Sequence, residues 1–172
     1  MDWQEYTTEN GETRVSTGDV DGDGKDEIVI GLAPVPEVES VPGGWFTVYD
    51  DDHTLLAAGQ IEWADYNAIN GETWPACGDI NGDGKDEIIL GLGSGGQGHS
   101  EIFSYTSEGL VHMDWIQIDW EDYNEMGGEC HPACGDVDGD GRDEIIVGFS
   151  SVGEQTSIPE GWFQVFDHDL SS

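Results

Sequence analysis

Carboxylates recur at alternate positions in three short loops of this chain: "DVDGDGKDE" from Asp19, "DINGDGKDE" from Asp79 and "DVDGDGRDE" from Asp136. With the first Asp as position one, Asp19, Asp21 and Asp23 stand at positions one, three and five. Gly24 at position six permits a sharp turn, and Lys25 at seven can offer its backbone carbonyl. Such alternation lets one tight loop wrap several oxygens around a hard cation, and calcium prefers six to eight oxygens at about 2.3–2.6 Å. The competing reading is three solvated acidic turns, which leaves the repeated placement of glycine among the acids without a reason.

The loops belong to a repeat. Their opening residues Asp19, Asp79 and Asp136 are separated by steps of 60 and 57 residues. The same steps separate Trp3, Trp63 and Trp120, each followed three residues later by Tyr6, Tyr66 or Tyr123, and they separate the "GE" pairs at Gly11, Gly71 and Gly128. Three landmarks in one register define three units, about 1–60, 61–117 and 118–172. After each loop comes a β-branched run, "EIVIGL", "EIILGL" or "EIIVGF", and then an alternating run, "GWFTVYD", "SEIFSYT" or "GWFQVFD". With "TWPACGD" and its equivalents before the loops, and "LLAAGQIEW" or "LVHMDWIQIDW" after them, a unit holds four strands. No stretch shows sustained helical periodicity, and 26 glycines point the same way. Four antiparallel strands per tandem unit predict an all-β protein, a β-propeller with one blade per unit. A β-sandwich of irregular strands would not space three landmarks equally.

The loops open like an EF-hand but do not end like one. Position twelve would be Ile30, Leu90 or Val147, where an EF-hand needs a bidentate Glu, and strand follows in place of helix. A carboxylate stands instead at position nine, in Glu27, Glu87 and Glu144. This nine-residue loop followed by "EI-x-x-GL" resembles the FG-GAP repeats of integrin α-subunit propellers and the related VCBS repeats of secreted microbial proteins, and the resemblance extends over all three units. It implies about one calcium ion per repeat, in the loop between the first and second strands of each blade. The implied ligands are Asp19, Asp21, Asp23, the Lys25 carbonyl and Glu27 in the first loop. In the second they are Asp79, Asn81, Asp83, the Lys85 carbonyl and Glu87, and in the third Asp136, Asp138, Asp140, the Arg142 carbonyl and Glu144. Many members carry Asp at position nine, where Glu stands here. Asp26, Asp86 and Asp143 at position eight are expected to point away from the ion. Asn81 removes one charge from the second loop, which is expected to bind most weakly.

Charge sets the remaining bounds. Four Lys and Arg against 38 Asp and Glu give a net charge of −34 in 172 residues. No basic footprint exists to meet nucleic acid or anionic lipid, so cations are the natural partners. Seven Trp, five Tyr and five Phe separate the chain from acidic disordered segments. Three divalent ions would bring the charge only from −34 to −28, so the surface should depend on salt in either a calcium-rich extracellular space or a halophile. No apolar run reaches the roughly 18 residues of a membrane span, and the N-terminus lacks the pattern of a signal peptide.

Other reactive residues carry less. Cys77 and Cys134 are equivalent, with Thr17 in the first unit, and Cys130 is extra; an odd, sparse set predicts free buried thiols, with "CHPAC" as a metal alternative. His53, His99, His112, His131 and His168 show no ligand spacing. Neither a nucleophile motif nor a phosphate loop is present, so an enzyme is not expected. Trp63, Tyr66, Trp120 and Tyr123 could stack on sugar rings or could pack between blades. The loops after strands two and four, including "APVPEVESVPGG", "GSGGQGHS" and "SSVGEQTSIPEG", should lie on the face opposite the calcium loops and form a recognition surface. Three blades are too few for a closed ring, and "MDWQEY" is the end of the strand that the third unit lacks, so two copies are expected to close six blades as a homodimer, the alternatives being a fragment of a longer propeller or another ring size. Two functions fit: an extracellular or cell-surface recognition module for carbohydrate or protein, or a stabilising accessory module of a larger secreted enzyme.

Overall fold

The computed structural model describes residues 11–33, 43–150, 161–167 and 169–170. Expectations that rest on Trp3, Tyr6, His168 and most of "APVPEVESVPGG" and "SSVGEQTSIPEG" lie outside these residues. The described chain forms three antiparallel sheets. The first comprises β1 (Thr13–Gly18), β2 (Glu27–Leu32), β3 (Trp45–Tyr49) and β4 (Leu55–Gln60), in that spatial order. The second repeats it with β5 (Thr73–Gly78), β6 (Glu87–Leu92), β7 (His99–Thr106) and β8 (Gly109–Gln117). In the third, β10 (Glu144–Phe149) lies between β9 (Cys130–Gly135) and β11 (Phe163–Phe166). Each strand predicted within the described residues is found, the strand end at "MDWQEY" lies outside them, and each acidic loop is the hairpin connection between the first two strands of its sheet. The pairs Gly18 with Glu27, Gly78 with Glu87, and Gly135 with Glu144 close the three loops in one register.

Packing distinguishes strands that look alike in sequence. β2 alternates buried and half-buried positions, whereas all six residues of β6 are buried. The reason is position: the second sheet is covered on both faces. Ile88, Leu90 and Leu92 join Val20, Val29, Phe46, Val48 and Phe103 in a core between the first two sheets. Ile89 turns the other way, toward Ile102, Ile116, Ile145 and Val147 in a core between the second and third. Full burial of each such side chain contributes about 1.5–3 kcal/mol, so the contacts between sheets are a main source of stability. The first strands add a ladder of equivalent residues. The Arg14 guanidinium lies 4.1 Å from the Trp74 ring centre, and Trp74 lies 4.2 Å from the His131 ring. Arg14 also pairs with Glu12 and Glu72.

The sequence did not announce two short helices, α1 (Ala64–Ile69) and α2 (Glu121–Glu125), which follow Trp63 and Trp120. A helix of one to two turns is too short to display a 3.6-residue period. Side chains hold these turns: Asn67 Nδ2 donates to Ile61 O at 2.7 Å and Asn124 Nδ2 to Ile118 O at 2.6 Å. Tyr66 and Tyr123 are fully buried and bolt each helix to the next sheet. Tyr66 Oη donates to Glu72 O at 2.6 Å and accepts from Gly93 N at 2.7 Å, and Tyr123 Oη donates to Glu129 O at 2.6 Å and accepts from Ser150 N at 2.9 Å. The landmark tyrosines thus pack between sheets, and neither ring face is open to a ligand; the stacking role considered for them is corrected on that ground.

Candidate metal centres

Each acidic loop is a set of short turns folded around its own carboxylates. In the first, Asp19 accepts from the amides of Gly22 (2.8 Å) and Gly24 (2.9 Å), Asp21 from Asp23 N (2.9 Å), and Asp23 from Lys25 N (3.0 Å). Gly24, Gly84 and Gly141 have φ of 90°, 86° and 93°, the left-handed region that position six requires. Asp79 and Asp136 are bonded like Asp19, to Gly82 and Gly84 and to Gly139 and Gly141. Asp83 and Asp140 accept from the amides of Lys85 and Arg142, as Asp23 does from Lys25.

Position nine gives the loops their unusual chemistry. Glu27, Glu87 and Glu144 are 0%, 1% and 3% exposed, and in each one carboxylate oxygen is buried without a hydrogen-bond partner. The other oxygen of Glu27 accepts from Asp21 N at 3.2 Å, and that of Glu144 from Val137 N at 2.8 Å. A buried, unpaired carboxylate oxygen is costly unless a cation or proton meets it. Burial raises Glu27 above the ordinary carboxylate range. Burial, with the charges of Asp83 and Asp79, lifts Glu87 to about 7. Ligand oxygens of Asp19, Asp21 and Glu27 lie within 4.8 Å of one another, as do those of Asp136, Asp138 and Glu144. Asp23 and Asp140 fall outside those groups. An oxygen-only donor set with an orphaned buried oxygen fits calcium. In the second loop Asn81 Nδ2 donates to Glu87 Oε1 at 2.6 Å, so an amide fills the place of the missing carboxylate.

Neighbouring loops are joined by positions seven and eight, with the Asp86 side chain reaching the preceding loop. Asp86 accepts from Asp19 N at 3.1 Å while its own amide donates to Asp19 O at 2.9 Å, and Asp143 N donates to Asp79 O at 3.0 Å. Lys85 Nζ reaches back to Asp21 O at 2.6 Å, and the Arg142 side chain lies against Gly82. Lys25 instead pairs with Asp23 (3.3 Å) and Asp51 (2.9 Å), and Asp26 is exposed. The cysteines are free; burial lifts Cys77 and Cys130 to about 12, and Cys134 also lies above its ordinary value.

At the opposite ends of the strands, Trp63 and Trp120 are half-buried. Trp63 meets His99 edge-on at 5.5 Å, and Trp120 meets the exposed Trp162 at 5.6 Å. A groove of about 830 Å³ beside α2 is lined by Gln97, Gln117, Asp119, Trp120, Glu121 and Glu125, among others. A cluster that spacing did not reveal, Glu62, Glu101 and His112, also places its ligand atoms within 4.8 Å of one another.

Comparison with known proteins agrees with this architecture. Residues 79–147 match the FG-GAP-like repeat family and residues 13–31 the FG-GAP repeat. Integrin alpha pat-2 of Caenorhabditis elegans is 40% identical over 75 residues, 42% of this chain and 6% of that protein. Among solved structures, the rhamnogalacturonan lyase of Bacillus licheniformis superposes with a TM-score of 0.56 at 18% identity, over 93% of this chain and 30% of its own. The Dos1 propeller superposes with a TM-score of 0.50 at 15% identity, over 82% of this chain and 30% of its own. The chain therefore spans a small part of the proteins it matches, and its sheets have the arrangement of propeller blades.

Proposed function

Because this chain is built from FG-GAP repeats, we propose that it is a calcium-binding β-propeller module, extracellular or at a cell surface, which recognises carbohydrate or protein and performs no catalysis itself. The observation that carries the calcium reading is the buried, unpartnered oxygen of Glu27, Glu87 and Glu144, repeated in all three loops. Bound calcium would meet that oxygen together with the aspartates of the same loop. The test is calorimetric titration of decalcified protein. Three calcium ions per chain, and a melting temperature lowered by EGTA, support the reading; no heat and no shift would sink it. For the ligand, the half-buried Trp120 and the amides and acids of the adjoining groove provide an aromatic platform with hydrogen-bonding edges, chemistry that suits a sugar. Glycan-array binding by this chain, lost in Trp120→Ala, tests it. The similarity to lyases favours one rival, an accessory module of a larger secreted enzyme, and a catalytic domain encoded beside this chain with no glycan bound would favour that instead.

The same reading includes closure with a second copy. Position two of the loops is 0% exposed in Val20 and 5% in Ile80, each covered by the next sheet, but 64% exposed in Val137. Phe163 is 63% exposed where its equivalents Phe46 and Ser100 are fully buried. No described residue covers this face of the third sheet, and the first sheet offers Lys25 and Asp26 in the positions from which Lys85 and Asp86 grip a preceding loop. A second copy docked head-to-tail would repeat the contact already made twice within the chain and could close six blades. Light scattering in calcium should return twice the 18.7 kDa chain mass.

A further inference from the structure

The cluster of Glu62, Glu101 and His112 is separate from the acidic loops. It lies where the connection after β4 meets the second sheet: Glu62 follows β4, Glu101 stands in β7 and His112 in β8. Glu101 is fully buried. Its Oε2 accepts from Glu62 N at 2.9 Å, but its Oε1 is buried with no hydrogen-bond partner, and so is His112 Nε2. The two orphaned atoms face each other at 3.6 Å, too long for a hydrogen bond.

The repeat provides an internal control. Glu101 pairs with Leu90 as Gln164 pairs with Val147, so the two occupy one register position. Gln164 Oε1 accepts from Asp119 N at 2.9 Å, the same bond that Glu101 makes to Glu62. Support of that backbone amide therefore needs no charge, yet the second sheet buries a carboxylate and sets an imidazole nitrogen opposite its free oxygen. A carboxyl-to-imidazole spacing of 3.6 Å is close to the roughly 3.3–3.5 Å between two ligands bound at about 2.0–2.2 Å around a tetrahedral ion. The exposed Glu62 carboxylate brings a third donor within 4.8 Å and leaves a side open to water.

We propose that Glu62, Glu101 and His112 form a site for a divalent transition-metal ion, with Zn²⁺ the natural occupant, which ties the β4–α1 connection of the first sheet to the second. An imidazole nitrogen with two carboxylates suits zinc and not calcium, which takes oxygen alone. The site is thus independent of the acidic loops, and either can fail without the other.

The test is Zn²⁺ titration of the whole chain in saturating calcium, alongside Co²⁺ absorption. The expected result is one tight Zn²⁺ per chain and a visible Co²⁺ band of tetrahedral type without the near-ultraviolet band of a thiolate. Glu101→Gln keeps the acceptor that Gln164 supplies in the third sheet, so it should fold, and with His112→Gln it should weaken Zn²⁺ by more than the roughly 10–100-fold that loss of an outer hydrogen-bond partner costs. Glu62→Ala, at an exposed position, should weaken Zn²⁺ by about tenfold or more even if a buried variant does not fold. Calcium stoichiometry should be unchanged throughout. Absence of Zn²⁺ binding overturns the proposal. So does binding that survives all three substitutions, or a thiolate band, which would move the ion to the cysteines.

Discussion

Replacing Glu87 with Gln should reverse its effect on stability according to whether calcium is present. Glu87 is buried, its Oε2 has no partner, and burial together with Asp83 and Asp79 lifts its carboxyl from 4.5 to about 7. Between those values the metal-free folded chain holds a proton that the unfolded chain releases. The associated stability is present in full below 4.5 and is lost as pH rises through 7. A gap of about 2.5 between the two values at 1.36 kcal/mol each, reduced for screening at the loop mouth, gives a penalty of about 2–3 kcal/mol at pH 8. A glutamine carries no such penalty, and its carbonyl can still accept from Asn81. In EGTA at pH 8, Glu87→Gln should therefore melt about 4–12 °C above the parent, with the advantage fading toward pH 4 in calcium-stripped buffer. In millimolar calcium it should melt below the parent, because the ion has lost a carboxylate. Intrinsic tryptophan fluorescence on heating reads both cases. If Glu87→Gln melts lower in EGTA at pH 8 as well, the carboxylate stabilises the loop by itself and the reasoning fails.

Asn81→Asp should tighten the second calcium site by about tenfold or more, since it adds an anionic ligand where the amide now bonds Glu87, and separate dissociation constants from calorimetry check this. Tyr66→Phe should cost about 1–3 kcal/mol by leaving the Gly93 amide only its long 3.4 Å bond to Glu72 O and by removing the donor to that carbonyl; a lower melting temperature with unchanged calcium stoichiometry is expected, and equal melting would deny Tyr66 its part in joining the sheets. Gly78→Ala and Gly135→Ala should differ although the positions are equivalent. A methyl at Gly78 meets Cys134 and Asp143 Oδ2, the latter at 2.6 Å, and should cost about 1–3 kcal/mol, whereas at Gly135 it meets nothing within 4 Å. Gly135→Ala should leave the fold intact but halve the mass seen by light scattering, because a second copy would bring Thr17 and Asp26 to that place. A dimer that persists would refute the head-to-tail docking.

The sequence by itself determined what is local or periodic. Alternating acids with glycine at position six demand a tight loop, a β-branched run after each loop demands a strand, and three landmarks that share steps of 60 and 57 residues demand three sheets of one plan; all three are found. The position of Glu27, Glu87 and Glu144 was legible, but their burial was not, since it follows from pairing with Gly18, Gly78 and Gly135 at the hairpin neck. The tertiary structure alone decided which face of each element is covered. Val20 and Val137 occupy one position in one motif, yet one is sealed and the other 64% exposed, because only one has a sheet packed over it. The same holds for Asp86 and Asp26, and for the meeting of Glu62, Glu101 and His112. Side chains drawn from two strands and a connection leave no spacing to read, because their distances are set by the bulged β7–β8 pairing and by how the first sheet packs on the second.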